Sequence, residues 1–368
     1  MTKAVAVIGC GNIFHAYARG LSRADGVELA ACADLDTDRA RRAAAEYGMR
    51  ALTVPEVLAD PELPVVVNLT PPAFHAEVTR AALEAGKHVY SEKPLCATLA
   101  EAVEVADLAA RQGLLLGSAP DTFLGSAGQT ARAVVDSGQI GDVIGAGVFV
   151  THSQAEMWHP NPGFLFQPGG GPALDMGPYY LASLVNLLGP VRRVYSESRI
   201  GSPVRPVFAE GRTVEEITVR TPTHCAAVVT FASGVIASVL MSFDVWGHEL
   251  PHAELYGHLG TLSIPDPDKY DLPVRMRLHT DPDWRVVDPV VPSLTEGLGP
   301  DQLPLRGPGV ADLVAALNGA PQRCSAALAV HVLEVLETIA RGDGVPSEMT
   351  TTCDRPPAVA VSPEMSAR

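Results

Sequence analysis

The sequence predicts an α/β chain in two parts: a doubly wound parallel sheet, then an α+β domain carrying a large, mostly antiparallel sheet. Three observations lead there. The first third alternates short β-rich runs with Ala- and Leu-rich helical stretches. After about residue 123 helices give way to strand-like runs separated by short turns. The chain has 368 residues, which suits two domains better than one. The expected domains are residues 1–122 and 123–368.

The runs "AVAVIG" (4–9), "VELAACAD" (27–34), "VVVNLTP" (65–71), "HVYSE" (88–92) and "LLLGSAP" (114–120) read as buried strands. Between them, 36–47, 74–86 and 98–112 place Ala, Leu and Val at helical spacing. In such a sheet ligands bind at the carboxyl ends of the strands. The second part opens with a helix over 126–138, ended by Gly138, and the strand "VIGAGVFVTHS". Further strands are expected at 190–200, 213–221, 224–232, 235–243, 253–257 and 274–279, and helices at 307–318 and 323–341. Residues 291–306 read as a long loop, and the Pro-rich C-terminal residues as a strap or frayed tail.

Composition removes several classes of function. Apolar residues make up 47% of the chain, enough for a sizeable core. A formal net charge of −15 argues against nucleic-acid or anionic-membrane partners, because the attraction to phosphate is reversed in sign. No apolar run is long enough to span a bilayer, and glycines interrupt the N-terminal run that imitates a signal peptide. The six cysteines show no paired spacing, which reads as reduced thiols in a cytoplasmic protein. The eleven histidines form no HxH or HExxH cluster, so no metal is expected.

In "VAVIGCGNIFHAY", Gly9 permits a sharp turn after the first strand, and Gly11 lets the backbone approach a pyrophosphate. Asn12 and Ile13, in the same turn, are read as cofactor-binding too, and Phe14 stands where GxGxxG would have its third glycine. Asp34, at the end of the second strand, suits the adenosine ribose hydroxyls and repels a 2′-phosphate. The pattern therefore favours NAD over NADP, with Arg39 partly offsetting the repulsion. In "YSEKPL" (90–95), Lys93 precedes a proline at another strand end. It reads as a donor to a substrate oxygen, or as a surface lysine on a turn.

These pieces, with "NLTPPAFH" (68–75) and "GGGPALDMGPYY" (169–180), resemble the Gfo/Idh/MocA family in the same order and spacing along nearly the whole chain. The resemblance implies an N-terminal Rossmann domain and a C-terminal domain whose open sheet forms an oligomer interface, hence a homodimer or homotetramer. It implies hydride transfer between NAD(P) and a hydroxyl carbon of a sugar or cyclitol. Carried over by position, Thr70, Pro71 and His75 border the cofactor, Glu92 lies near the nicotinamide ribose, and Lys93 touches the reacting hydroxyl. Asp175 matches the family's acidic residue, and Tyr179 replaces its frequent histidine.

Asp175 and Tyr179 are four apart and share a helix face. The glycines before them read as bringing backbone close to a ligand. A free tyrosine, with a pKa near ~10, is a poor base, but an ammonium and a positive nicotinamide would stabilise its phenolate. Tyr179 with Lys93 is thus an acid–base pair, with Asp175 orienting substrate or lysine; His152 and His159 are the rival proton carriers. Trp158 and His159 read as a sugar platform and polar contact, or as a loop packing its own aromatic residues. Asp121 and Thr122 are read as facing substrate, and His331 as a satisfied core histidine. The expected function is an NAD-dependent dehydrogenase of a sugar, glycoside or cyclitol hydroxyl. The alternatives are redox-neutral glycoside cleavage with NAD retained, and a non-catalytic NAD- or sugar-binding regulator.

Overall fold

The computed structural model describes residues 1–153, 156, 162–207, 216–299 and 305–360. The chain forms two compact units, Met1–Leu124 with Thr295–Val330, and Gly125–Leu294 with His331–Arg368.

The first unit holds a parallel sheet of β1 (Lys3–Ile8), β2 (Val27–Ala33), β3 (Arg50–Leu52), β4 (Val65–Asn68), β5 (His88–Ser91) and β6 (Leu116–Ser118), in the order β3-β2-β1-β4-β5-β6. Its helices are α1 (Phe14–Leu21), α2 (Thr37–Tyr47), α3 (Val54–Ala59), α4 (His75–Glu84) and α5 (Leu99–Gln112). Val5 to Ile8 and Val65 to Val67 are buried, which is why these strands read as unbroken apolar runs. Thr53 and Thr98 each start a helix with a capping box to Glu56 and Glu101. Strand order reverses between β1 and β4, so the loops after these strands diverge and open a crevice. β3 and α3 lay outside the sequence reading because elements of three and six residues carry too little periodicity.

The expected boundary at residue 122 differs from the observed units in one respect: residues 295–330 pack with the first unit. The cause is close backbone contact. Arg306 N–H donates to Ala16 O (3.0 Å) and Ser118 N–H to Cys324 O (3.2 Å). A Cβ on Gly20 would strike Arg306 O, and one on Gly309 the Tyr90 hydroxyl.

The second unit begins with α6 (Ser126–Asp136) and β7 (Val143–Thr151). The sheet continues with β8 (Val191–Arg199), then, past a separate pair β9 (Val204–Pro206) and β10 (Glu216–Thr218), with β11 (His224–Phe231), β12 (Ile236–Ser242), β13 (Ala253–Gly257), β14 (Gly260–Ile264), β15 (Arg275–Leu278), β16 (Arg285–Val286) and β17 (Ser347–Glu348). Nine strands run in the order β16-β15-β14-β13-β7-β12-β11-β8-β17. β7 and β12 are parallel and the other described pairs antiparallel. Helices α6 and Gly177–Leu188 pack against one face of the sheet. On the other, Tyr195, Val228, Ile236 and Tyr256 are exposed, the alternation expected of a sheet covered on one side only.

Of the two sequence readings of the C-terminal residues, the structure shows a strap as far as residue 360. Glu334 accepts hydrogen bonds from the amides and hydroxyls of Thr350 and Thr351 (2.5–2.8 Å). Arg132 Nη1 donates to Pro356 O (2.7 Å), and Val359 N–H to Gln129 Oε1 (2.8 Å). Among the described residues no helix is long and apolar enough to cross a membrane.

Candidate active site

Gly9 leaves β1 at φ 103°, where a side chain is strained, and an added Cβ would lie 2.7 Å from the carbonyl carbon of Leu69. Two residues on, a Cβ at Gly11 would meet no protein atom within 4 Å. The backbone there faces open space, at the start of a helix whose N-cap, Ile13, offers no side-chain acceptor. An open glycine at the start of a helix without a side-chain cap fits the approach of an anionic pyrophosphate. Asp34 accepts hydrogen bonds from Cys10 N–H and Asp36 N–H (both 2.8 Å), and Arg39 Nη1 lies 3.6 Å away. Phe14 is fully buried and packs edge-on against Tyr47, with centroids 5.8 Å apart. The residues present therefore fit a dinucleotide.

A hydrogen-bonded frame stands beside this cradle. Asn68, ending β4, donates Nδ2–H to His75 O (3.1 Å) and Thr79 Oγ1 (3.2 Å), and its Oδ1 accepts from the amide and hydroxyl of Thr70. The His75 ring spans two loops: Nε2 lies 2.7 Å from Thr70 O and Nδ1 2.6 Å from Pro94 O. Burial pushes this imidazole below its usual pKa, while the two carbonyls and Glu92 pull the other way. Both carboxylate oxygens of Glu92 are engaged, one by Tyr17 Oη–H (2.8 Å) and one by Lys93 N–H (2.7 Å). Glu92 N–H donates to Asn68 O (2.9 Å). The half-buried Lys93 is thus carried on a turn held at its backbone from both sides, and the Lys93–Pro94 peptide is cis.

Asp121, read from the sequence as facing substrate, has a structural partner. It is 1% exposed and accepts from Gly309 N–H (2.8 Å) in the first turn of the helix Pro308–Leu317, stabilising the positive end of that helix.

In the second unit, Asp175 ends the short helix Gly171–Asp175, and Tyr179 lies in the first turn of Gly177–Leu188. The adjacent tyrosines differ. Tyr180 is 4% exposed with its hydroxyl 3.0 Å from His252 Nδ1 and 3.5 Å from Asp266; burial pushes its phenol well above the usual range. Tyr179 is 8% exposed. Two of the three glycines before Asp175 depart from the sequence reading, while a Cβ on the third, Gly169, would meet no protein atom within 4 Å. Gly170 lies against Phe164 and Leu165 backbone, and Gly171, at φ 83°, against Pro222 O, so they bring backbone close to backbone.

His152 leaves β7 beside Phe243, ring centroids 4.7 Å apart. Its Nε2 is buried without a hydrogen-bond partner among the described residues, and burial lowers its pKa against the pull of Asp175, Asp266 and Glu156. Glu156 itself pairs with Arg205 Nη1 (2.6 Å), whose guanidinium also pairs with Asp244 and lies over the Phe166 ring. Trp158 and His159 lie outside the described residues. His331 is satisfied as expected: Nε2 accepts from Val191 N–H (2.9 Å), and Nδ1 lies 3.1 Å from Thr351 Oγ1.

Residues 3–119 match the oxidoreductase family with an NAD-binding Rossmann fold, and residues 129–263 the GFO/IDH/MocA C-terminal domain. An uncharacterized oxidoreductase of Rhizobium meliloti, ORF334, is 30% identical over 250 residues, covering 66% of this chain and 68% of that one. The chain belongs to the Gfo/Idh/MocA family. Within it, 1,5-anhydro-D-fructose reductase of Ensifer adhaerens is 33% identical over 174 residues, 46% of this chain and 52% of that enzyme. The matches to the first three curated relatives span 42%, 52% and 56% of their lengths, about half. A levoglucosan dehydrogenase solved with NADH and levoglucosan superposes with a TM-score of 0.80 at 21% identity, over 95% of this chain and 100% of that one, a likeness of fold.

Two members of the Gfo/Idh/MocA frame, Tyr17 and Asn68, drew no role from the sequence although both lie inside its motifs. Asn68 had a signal, a polar residue closing the apolar run "VVV". Tyr17 had none, because its partner Glu92 is 75 positions away.

Proposed function

We propose that this chain is an NAD-dependent dehydrogenase moving a hydride between a secondary hydroxyl carbon of a sugar, glycoside or cyclitol and the nicotinamide. The observation that carries the proposal is the Lys93 turn, clamped by Glu92 and His75 at the strand-end crevice that also holds Gly11 and Asp34. The names of two relatives, an anhydrofructose reductase and a levoglucosan dehydrogenase, support a sugar-like substrate. Asp34, oriented by two amides, supports NAD over NADP, because its charge opposes a 2′-phosphate.

The nicotinamide, when bound, supplies the hydride acceptor. Lys93 donates to the substrate oxygen and stabilises negative charge developing there. Tyr179 takes the hydroxyl proton, and Asp175 orients the hydroxyl. The buried Nε2 of His152, unpartnered among the described residues, supports a second candidate for the proton. NAD⁺ reduction across a panel of sugars, glycosides and inositols tests the activity. Replacing Tyr179 by Phe is expected to lower kcat by about 10²- to 10⁴-fold with NADH affinity unchanged. An active Tyr179→Phe variant beside an inactive His152→Phe variant moves the proton to His152. Glycoside cleavage with tightly retained cofactor and no net NADH would instead identify redox-neutral cleavage. The six buried free cysteines agree with a reducing cytoplasm, and the exposed apolar sheet face with a homodimer or homotetramer, which sedimentation measures.

A further inference from the structure

The His75 imidazole touches the backbone of two loops at once, Thr70 O at 2.7 Å and Pro94 O at 2.6 Å, and is 1% exposed. Pro94 directly follows Lys93. From the other side Glu92 takes the Lys93 amide, so the turn is gripped between a carboxylate and an imidazole. The ring is itself set by Asn68, which holds His75 O and Thr79 on one side and Thr70 on the other. A neutral imidazole has one N–H to give; carried on Nδ1 it donates to Pro94 O, the contact that bears on Lys93. Expected from the family resemblance to border the cofactor, His75 instead has both ring nitrogens turned to protein carbonyls.

We propose that His75 is a positioning residue for Lys93, holding the Pro94 carbonyl so that the lysine ammonium is delivered at one place in the crevice. The inference rests on the reading of Lys93 as the residue acting on the substrate hydroxyl. It acts through geometry: a reacting group displaced by about 1 Å loses on the order of 100-fold in rate, while binding of substrate and cofactor elsewhere is little changed.

The two ring nitrogens allow a directional test. In His75→Asn the amide nitrogen falls where Nδ1 stands and keeps the Pro94 contact; in His75→Gln it falls where Nε2 stands and keeps the Thr70 contact. With NAD⁺ and myo-inositol, levoglucosan or D-glucose as probes, His75→Gln is expected to lose about 10- to 100-fold in kcat, with KM and NADH affinity within about threefold. His75→Asn is expected to retain clearly more activity. In a Lys93→Ala background, His75→Gln should add no further loss, because its effect passes through the lysine. Equal losses in the two variants, a loss in KM alone, or a loss that persists without Lys93 overturns the proposal. So does failure of both variants to fold, which would make His75 a purely structural residue; if one folds, it decides through the cycle with Lys93. Absence of wild-type turnover with every probe removes the dehydrogenase reading and this inference with it. Wild-type turnover with an unaffected His75→Gln removes only this one.

Discussion

At the scale of single residues, adjacent side chains of one type meet different surroundings. Tyr180 shares its hydroxyl between His252 and Asp266, whereas Tyr179 sits one position earlier on another helix face. Tyr180→Phe should therefore cost stability, about 1 kcal/mol for the lost hydrogen bond, and leave kcat unchanged; thermal unfolding beside kinetics checks both. Asp34 carries a second expectation. Its carboxylate is pinned by Cys10 and Asp36 amides, with Arg39 close by. Asp34→Ala should shift the ratio of kcat/KM for NAD⁺ over NADP⁺ by about 10-fold or more toward NADP⁺, since it removes a ribose partner and a repulsive charge together. An unchanged ratio would show that Asp34 does not read the ribose. The place of Asp34 after β2 was legible in the sequence, because it rests on short-range spacing; the shared helix face expected of Asp175 and Tyr179 was not, because a break at Met176 puts them on two successive helices. Nor was the clamp on Lys93, since it joins Tyr17, the stretch from Asn68 to His75, and Glu92, three separate segments.

At the scale of elements, the turn after β1 separates folding from binding. Gly9 faces Leu69 backbone, and Gly11 faces nothing. Alanine at Gly9 should lower the melting temperature, through a positive φ and a clash with β4's exit. Alanine at Gly11 should leave the melting temperature nearly unchanged and weaken NAD⁺ binding by about 10-fold or more, because the new methyl stands where a phosphate approaches. Titration calorimetry with NAD⁺ separates the two, and a Gly11→Ala protein of undiminished affinity would remove this reading of the cradle. The C-terminal strap hangs on Glu334 in the same sense. Burial raises its carboxyl pKa, yet the bonds from Thr350 and Thr351 prevail and hold it below the usual value. Glu334→Ala should cost about 2 kcal/mol or more and expose residues 350–360 to proteolysis.

At the scale of the whole molecule, buried histidines set the response to acid. Burial lowers the folded-state pKa of His75 in the first unit and His331 in the second below their ordinary 6.5. Once unfolded, both titrate near that ordinary value. Below about pH 6.5 the unfolded chain therefore takes up protons that the folded chain refuses, and stability falls. Each contributes up to about 1.4 kcal/mol of loss per pH unit until its folded value is reached, and nothing above about pH 7. The half-buried His88 and His152 shift in the same direction. Calorimetry at a series of pH values should show a melting temperature that declines from about pH 6.5 downward; a rise over that window would contradict the assignment of these rings as neutral.

The sequence by itself determined the class of both sheets, the glycine turn, the acidic end of β2 and the Lys93 turn. Each is encoded in neighbouring residues, through periodicity or through a backbone that only glycine or proline allows. Tertiary structure alone decided three other matters. It assigned residues 295–330 to the first unit, because Arg306, Gly309 and Cys324 meet Ala16, Tyr90 and Ser118. It showed that Asp121 holds a helix end and that Gly170 and Gly171 admit neighbouring backbone. And it joined His75 to Pro94. These outcomes depend on contacts between residues far apart in the chain, which no local pattern records.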